Sequence, residues 1–185
     1  TRMFDGNSWT LVTGEVENHP LVDINSIATG FNGKTVFGKF SSVSSGVFLK
    51  DGNRWDFMST TNDGGLFSNI IFGVSADQNG NLWASGFYGA AKYDGSSWTY
   101  YHTRDGLADL YTWKVHAASD GTVWFATSEN GLTYRKDGQF HVMNDYNTFF
   151  GDVMFEDSQG NMYFGSYAGK NPGILRYDGS TFTRY

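Results

Sequence analysis

Apolar and polar residues alternate with a period of two in short runs along most of the chain. KVHAAS at 114–119, VWFATS at 123–128, LTYRKD at 132–137 and QFHVMN at 139–144 form one such series. Runs of about four to six residues with this period predict half-buried β-strands. Gly paired with Asn or Asp lies between the first and second runs and between the third and fourth, as tight hairpins with positive φ require. No stretch carries the 3.6-residue stripe of an amphipathic helix.

The series recurs. FDGNSW (4–9), KDGNRW (50–55), YDGSSW (93–98), KDGQF (136–140) and YDGSTF (177–182) place Asp-Gly pairs at Asp5, Asp51, Asp94, Asp137 and Asp178, so the steps are 46, 43, 43 and 41 residues. A second motif precedes each of the last four: GFNGKTVFGKF (30–40), DQNGNLWASGF (77–87), SDGTVWFATS (119–128) and DSQGNMYFGSY (157–167). Four antiparallel strands, a to d, per repeat of roughly 43 residues predict an all-β fold, a β-propeller of four-stranded antiparallel blades. The repeats fall at 2–13 (partial), 22–59, 70–102, 113–144 and 152–185 of a single domain spanning 1–185. Residues 2–13 supply only strands c and d, and the chain ends on another strand d. About four and a half blades result: a partial propeller, one completed by another chain, or a closed four-blade ring with a displaced leading hairpin. Thr1 in place of Met suggests a processed or trimmed N-terminus.

Composition narrows the function. Aromatics are 18% of the chain, and 24 glycines stand against 2 prolines, which suits short packed strands and tight turns. With 13 basic and 19 acidic residues and a net charge of −6, the sequence has no basic cluster for nucleic acid. No apolar run approaches the ~20 residues of a membrane span. Cysteine is absent, which excludes disulfides and thiolate metal sites.

GNLWASGFYGAAKYDGSSWTYYHTRDGL at 80–107 resembles the two-component regulator propeller repeat, which runs D-x-x-G-x-L-W-[FA]-G-T, G-L-x-R-Y-D-G, F-T-x-Y and D-G-L. The third unit matches through GTVWFATSENGLTYRKDGQF, and the fourth through GNMYFGS and ILRYDGSTFTRY. The first departs, with Val36-Phe37 in place of Leu-Trp. The resemblance implies a propeller in the extracytoplasmic, periplasmic or secreted, sensory part of a bacterial signalling protein. It implies no catalytic residue and no cofactor.

Candidate chemistry is sparse. DQNGN and DSQGN look like EF-hand starts, but Tyr88 and Ala168 stand where the loop needs Glu. The same segments resemble the Asp-box turn of sialidase propellers, which bears on fold and not activity. His19, His102, His116 and His141 are scattered, so no metal site is expected. There is no Gly-x-Ser-x-Gly elbow, and arginines do not converge. The Asp-Gly pairs are expected to be structural turns. Ligand-binding residues are sought on the d–a and b–c loops, where the copies differ. They are Tyr88, Arg104, Asp105, Tyr111, Trp113, Asn130, Phe149, Phe150 and Tyr167. Such aromatics beside Asn, Asp and Arg suit a carbohydrate or peptide, unless Phe67, Tyr111, Trp113 and Phe149 turn inward and plug the channel or fill gaps between blades. The leading expectation is a non-catalytic sensing or binding module. A structural unit that self-associates or joins the rest of a larger propeller, and a propeller lyase or glycan hydrolase, are the alternatives.

Overall fold

The computed structural model describes residues 2–4, 6–40, 46–58, 70–128, 131–143, 151–166 and 172–185. A leading hairpin pairs β1 (Arg2–Phe4) with β2 (Trp9–Leu11), and a second small hairpin pairs β3 (Glu15–Val16) with β4 (His19–Pro20). Four four-stranded antiparallel sheets follow. Blade one contains β5 (Ile24–Phe31), β6 (Lys34–Lys39), β7 (Gly46–Asp51) and β8 (Arg54–Met58). Blade two contains β9 (Ile71–Ala76), β10 (Leu82–Gly86), β11 (Gly89–Tyr93) and β12 (Trp98–Tyr101). Blade three contains β13 (Thr112–Ala117), β14 (Val123–Thr127), β15 (Leu132–Lys136) and β16 (Gln139–Met143). Blade four contains β17 (Gly151–Glu156), β18 (Met162–Ser166), β19 (Gly173–Tyr177) and β20 (Phe182–Arg184).

The inner strands β5, β9, β13 and β17 pack side by side in that order, and no comparable packing leads from β17 back to β5 among the described residues. Blades two and three each have two apolar faces, because a neighbouring blade covers each side. In blade two, Leu82 and Ala84 face blade one, while Trp83 faces blade three. In blade three the division repeats, with Val123 and Phe125 facing back and Trp124 facing blade four. Trp83 is 1% exposed and Trp124 2%. In two blades the aromatic residue of the second strand is also held at one end. The Trp83 indole donates to Asp77 at 2.9 Å, and the Tyr163 hydroxyl donates to Asp157 at 3.2 Å in blade four. The guanidinium of Arg135 crosses the second seam over the Trp83, Tyr101 and Phe140 rings, at 5.8, 5.3 and 5.6 Å.

Blade one corrects the sequence alignment by one residue. Val36 packs into the seam with blade two, whereas Phe37 points to the opposite face beside Val16, Leu21, Phe48 and Phe57. Val36 therefore fills the place taken by Trp83 in blade two. The stretch expected to be a linker at 14–24 contains the β3–β4 hairpin. Its turn puts Glu17 and Asn18 at φ 51° and 66°, a conformation that Asn tolerates well. His19 stacks on Phe57 at 3.7 Å, and the buried Lys39 ammonium donates to the Pro20 carbonyl at 3.0 Å, tying the hairpin to blade one.

The recurrent Asp-Gly pairs form two kinds of turn. After an aromatic residue the loop has four residues, as in Tyr93↔Trp98 and Tyr177↔Phe182. Asp94 accepts the Ser96 and Ser97 amides at 2.8 Å, and Asp178 accepts those of Ser180 and Thr181 at 3.0 and 2.9 Å. After Lys the turn shortens to two residues, as in Asp51↔Arg54 and Lys136↔Gln139.

Two predictions follow from this packing. Gly89 has φ +108°, and a Cβ there would lie 2.2 Å from the Tyr101 carbonyl oxygen; Gly121, at φ +85°, meets nothing within 4 Å. Gly89→Ala is expected to cost more than ~2 kcal/mol and Gly121→Ala ~1 kcal/mol, compared by chemical denaturation. The turn aspartates titrate in acid. Amides of Ser97 and Ser96 hold Asp94 well below the ordinary carboxylate range, and those of Thr181 and Ser180, with the Ser180 hydroxyl, hold Asp178 there too. At Asp77 burial acts upward, but hydrogen bonds from Trp83, Asn81 and Asn79 outweigh it and the net shift is down. A depressed folded-state pKa gives stability that is complete above the unfolded value, ~4, and is lost as the pH falls below it. The melting temperature should hold from pH 7 to about 5 and drop below about pH 4, with a shallower drop in Asp77→Asn.

Candidate functional site

The first turn of every inner strand is irregular. In blade one Ile24 pairs with Lys39 and Ser26 with Gly38, so Asn25 is extra. In blade two Ile71 pairs with Gly86 and Gly73 with Ser85, leaving Phe72. Blade three leaves Trp113 between Thr112 and Lys114, and blade four leaves Asp152 between Gly151 and Val153. A β-bulge re-aims the side chain of its extra residue and is common beside binding sites. Four bulges thus stand at equivalent places around the end of the channel where the d–a and b–c loops lie, and each carries a different residue.

Three of the four, Asn25, Phe72 and Trp113, line one cavity of about 270 Å³ together with Phe40 and Lys114. Phe72 is its hub. Its ring lies 5.6 Å from Phe40, 5.0 Å from Phe87 and 4.5 Å from Trp113, and Phe87 meets Tyr111 edge-on at 5.1 Å. Phe40 and Tyr111 remain 46% and 47% exposed, so this aromatic cluster has an open rim. Hydrogen bonds fix the set. The Trp113 indole donates to the Ser128 hydroxyl at 2.8 Å, and the Asn25 amide donates to the Ile71 carbonyl at 3.0 Å. The Tyr111 amide donates to Asp109 at 3.1 Å, and the Lys114 ammonium reaches the Phe72 carbonyl at 3.4 Å.

A second groove of about 290 Å³ continues along the inner strands and shares Asn25 and Lys114 with the first. Its wall includes Ser26, His116 and Met154. Burial lowers the His116 pKa, while Glu156, whose carboxylate lies 3.8 Å from Nε2, acts the other way. Glu156 is held by the Ser119 amide at 2.8 Å and by the Ser119 hydroxyl, so it braces the seam between blades three and four. No group of three or more His, Asp or Glu able to hold a metal ion occurs among the described residues. Among the described residues no helix is long and apolar enough to cross a membrane.

Of the residues chosen from sequence, Tyr111 and Trp113 join the cluster at the mouth, Trp113 half-buried and Tyr111 exposed. Tyr88, Arg104 and Asp105 belong to a separate network. Asp105 accepts the His102 amide at 2.8 Å, His102 Nδ1 bonds the Tyr88 carbonyl at 2.8 Å, and Arg104 approaches Asp105 at 3.9 Å. Asn130, Phe149, Phe150 and Tyr167 lie outside the described residues. Asn25, Phe40, Phe72 and Lys114 were missed. Three of them sit within inner strands, where a residue that lines a cavity has no periodicity to distinguish it from core. The signal is the extra residue in register, which requires the pairing to be known.

No protein-family profile matches the sequence, and no curated protein matches it. Solved structures do. The extracellular domain ascribed to hybrid two-component system BT3049 of B. thetaiotaomicron shares 20% identity at TM-score 0.74, over 99% of this chain and 25% of its own. PorZ of Porphyromonas gingivalis, a surface component of the type-IX secretion system, shares 16% at 0.64, over 90% of this chain and 26% of its own. The gluconolactonase XC5397 of Xanthomonas campestris shares 14% at 0.59, over 86% and 59%. The chain is therefore an assembly of propeller blades spanning about a quarter of the first two proteins' length. Its fold resembles extracellular sensor and surface domains as well as a lactonase.

The hydrogen bond and the ring of Trp113 separate cleanly. Ser128→Ala should cost ~1 kcal/mol of stability and leave the cluster intact, whereas Trp113→Ala should cost ~3 kcal/mol, measured by urea unfolding.

Proposed function

We propose that this chain is a non-catalytic recognition module of an extracytoplasmic sensor, taking a small carbohydrate or peptide ligand at the channel mouth. The observation that carries the reading is the ring of four bulges. One rigid scaffold repeats the same backbone irregularity in every blade, and the side chains placed there in the first three differ: Asn25, Phe72 and Trp113. Equivalent backbone with unlike side chains serves recognition better than it serves packing, for which one residue type would suffice. Aromatic faces with amide and ammonium groups at their edge offer stacking and orientation to a ring or a planar peptide unit. Binding at this position would touch inner strands of at least three blades together, so occupancy would be felt as a change in how those blades sit.

A library of oligosaccharides and short peptides, screened by saturation-transfer NMR, tests the reading. A bound compound is expected to lose affinity at least tenfold, ~1.4 kcal/mol, in Tyr111→Ala and Asn25→Ala, with the melting temperature held. The compound should be recovered unchanged. Binding indifferent to both substitutions, or steady turnover, would contradict the proposal.

A second reading, assembly, is favoured by the far face of blade four. Val153, Phe155 and Ile174 are 59%, 59% and 50% exposed there. Light scattering of the chain in solution should show self-association that Phe155→Glu abolishes; a monomer at every concentration sinks this reading.

A further inference from the structure

We infer that the ligand of the mouth, taken as the recognition surface proposed above, is a peptide segment that inserts one aromatic side chain flanked by basic residues. The two adjoining cavities differ in chemistry. The first, of about 270 Å³, is walled by the rings of Phe40, Phe72 and Trp113. Its polar residues, among those described, are Asn25 and Lys114, and both are shared with the second groove. The Trp113 indole N–H is given to the Ser128 hydroxyl at 2.8 Å, so it is engaged within the frame. Phe72 is 4% exposed and Phe40 46%, which makes one a seat and the other a flank.

The second groove, of about 290 Å³, adds polar groups to its apolar walls. β5, β9, β13 and β17 are the edge strands of their sheets, each paired on one side only. Main-chain groups without a ladder partner there bond side chains of the neighbouring blade. The Val74 amide donates to the Ser26 hydroxyl at 3.0 Å, and the Ala117 amide to that of Ser75 at 2.9 Å. Ser26 and His116 line this groove beside Asn25 and Lys114. A hydroxyl that accepts still carries a proton to donate, and a side-chain amide has both functions. The pair of cavities thus offers an apolar seat next to a groove able to donate and accept.

A peptide residue presents these two chemistries from one Cα, an apolar side chain and a polar main chain. A sugar ring carries hydroxyls around its whole edge, and in the first cavity they would be buried against Phe40, Phe72 and Trp113 at a cost. The first cavity lies just below the ~300–1,000 Å³ of pockets for drug-sized ligands, so it suits one ring rather than a chain of them. Phe40 and Trp113 stand at 26° and 35° to Phe72, and a third ring extends such tilted pairs better than an aliphatic group does. Charge sets the flanks. The d–a segments at 14–24 and 103–113 carry Glu15, Glu17, Asp23, Asp105 and Asp109 against Arg104, with Lys114 at the cavity wall, and the chain has a net charge of −6. A basic residue on either side of the anchor meets an attractive field.

The probe is the capped tripeptide N-acetyl-Lys-Tyr-Lys-amide, titrated into the ¹⁵N-labelled full chain. The Trp113 indole and the Ser26 amide should shift together with saturable dependence, because one residue fills both cavities. Affinity should fall about tenfold with Ala in place of the central Tyr, and about threefold with Leu there or with Glu on both flanks. It should fall about tenfold in Phe40→Ser as well. Phe40 is exposed at the rim, and an unchanged melting temperature checks that the variant keeps its fold. Maltotriose and cellotriose should leave Trp113 unmoved. An Ala, Leu or Glu-flanked peptide that binds as well as the parent overturns the inference. So does a trisaccharide that moves Trp113 where the peptide does not, which leaves the mouth a recognition surface for another class of ligand. If neither moves Trp113, the inference and the recognition reading fall together.

Discussion

A four-stranded sheet with apolar side chains on both faces is not stable alone, and the remaining features of this chain follow from how each face is covered. The seams have a common plan. One blade contributes a large residue from its second strand, Trp83 or Trp124, and the next supplies a bed of aliphatic and aromatic side chains. Burying each ring is worth ~2–3 kcal/mol before any hydrogen bond is counted. In blade two the Trp83 indole is then aimed by Asp77, a turn aspartate of its own blade. The turn therefore contributes to a seam it does not touch, which links acid titration of a surface loop to the packing of the core.

Much of this was legible in the chain. The strand period, the Asp-Gly spacing and the aromatic in the second strand together specify blades, because each demands the same four-stranded unit. Where the sequence misled, a one-residue shift was responsible. Val36-Phe37 looks like Leu-Trp, yet pairing of Phe37 with Ile27 and Phe48 turns it to the opposite face, since a slip of one residue exchanges the two sides of a strand. The KDG and YDG turns look alike for a similar reason, although the first closes over two residues and the second over four. Lys50 and Trp55 are paired across the short turn much as Tyr93 and Trp98 are across the long one.

The mouth was half legible. Tyr111 and Trp113 stand near a loop and drew notice, but Asn25 and Phe72 lie in strands and look like any other strand residue. What sets them apart is the interrupted register beside each, a property of pairing that a single strand does not display. The network around Tyr88, Arg104 and Asp105 has a polar composition suited to a ligand, and Asp105 is spent on capping the Thr103–Asp105 turn. Composition alone does not separate a polar group that serves the backbone from one available to a partner.

The central claim is that the bulged starts of the inner strands form the recognition surface. The chain has six tryptophans, and only Trp113 occupies a bulge at the mouth. An ¹H–¹⁵N spectrum of the indole resonances, recorded while a compound that binds the chain is added, therefore tests the claim directly. The account predicts that the Trp113 indole moves with saturable dependence on concentration while those of Trp83 and Trp124 stay fixed. A shift confined to Trp9 or Trp98, with Trp113 unmoved, would contradict it.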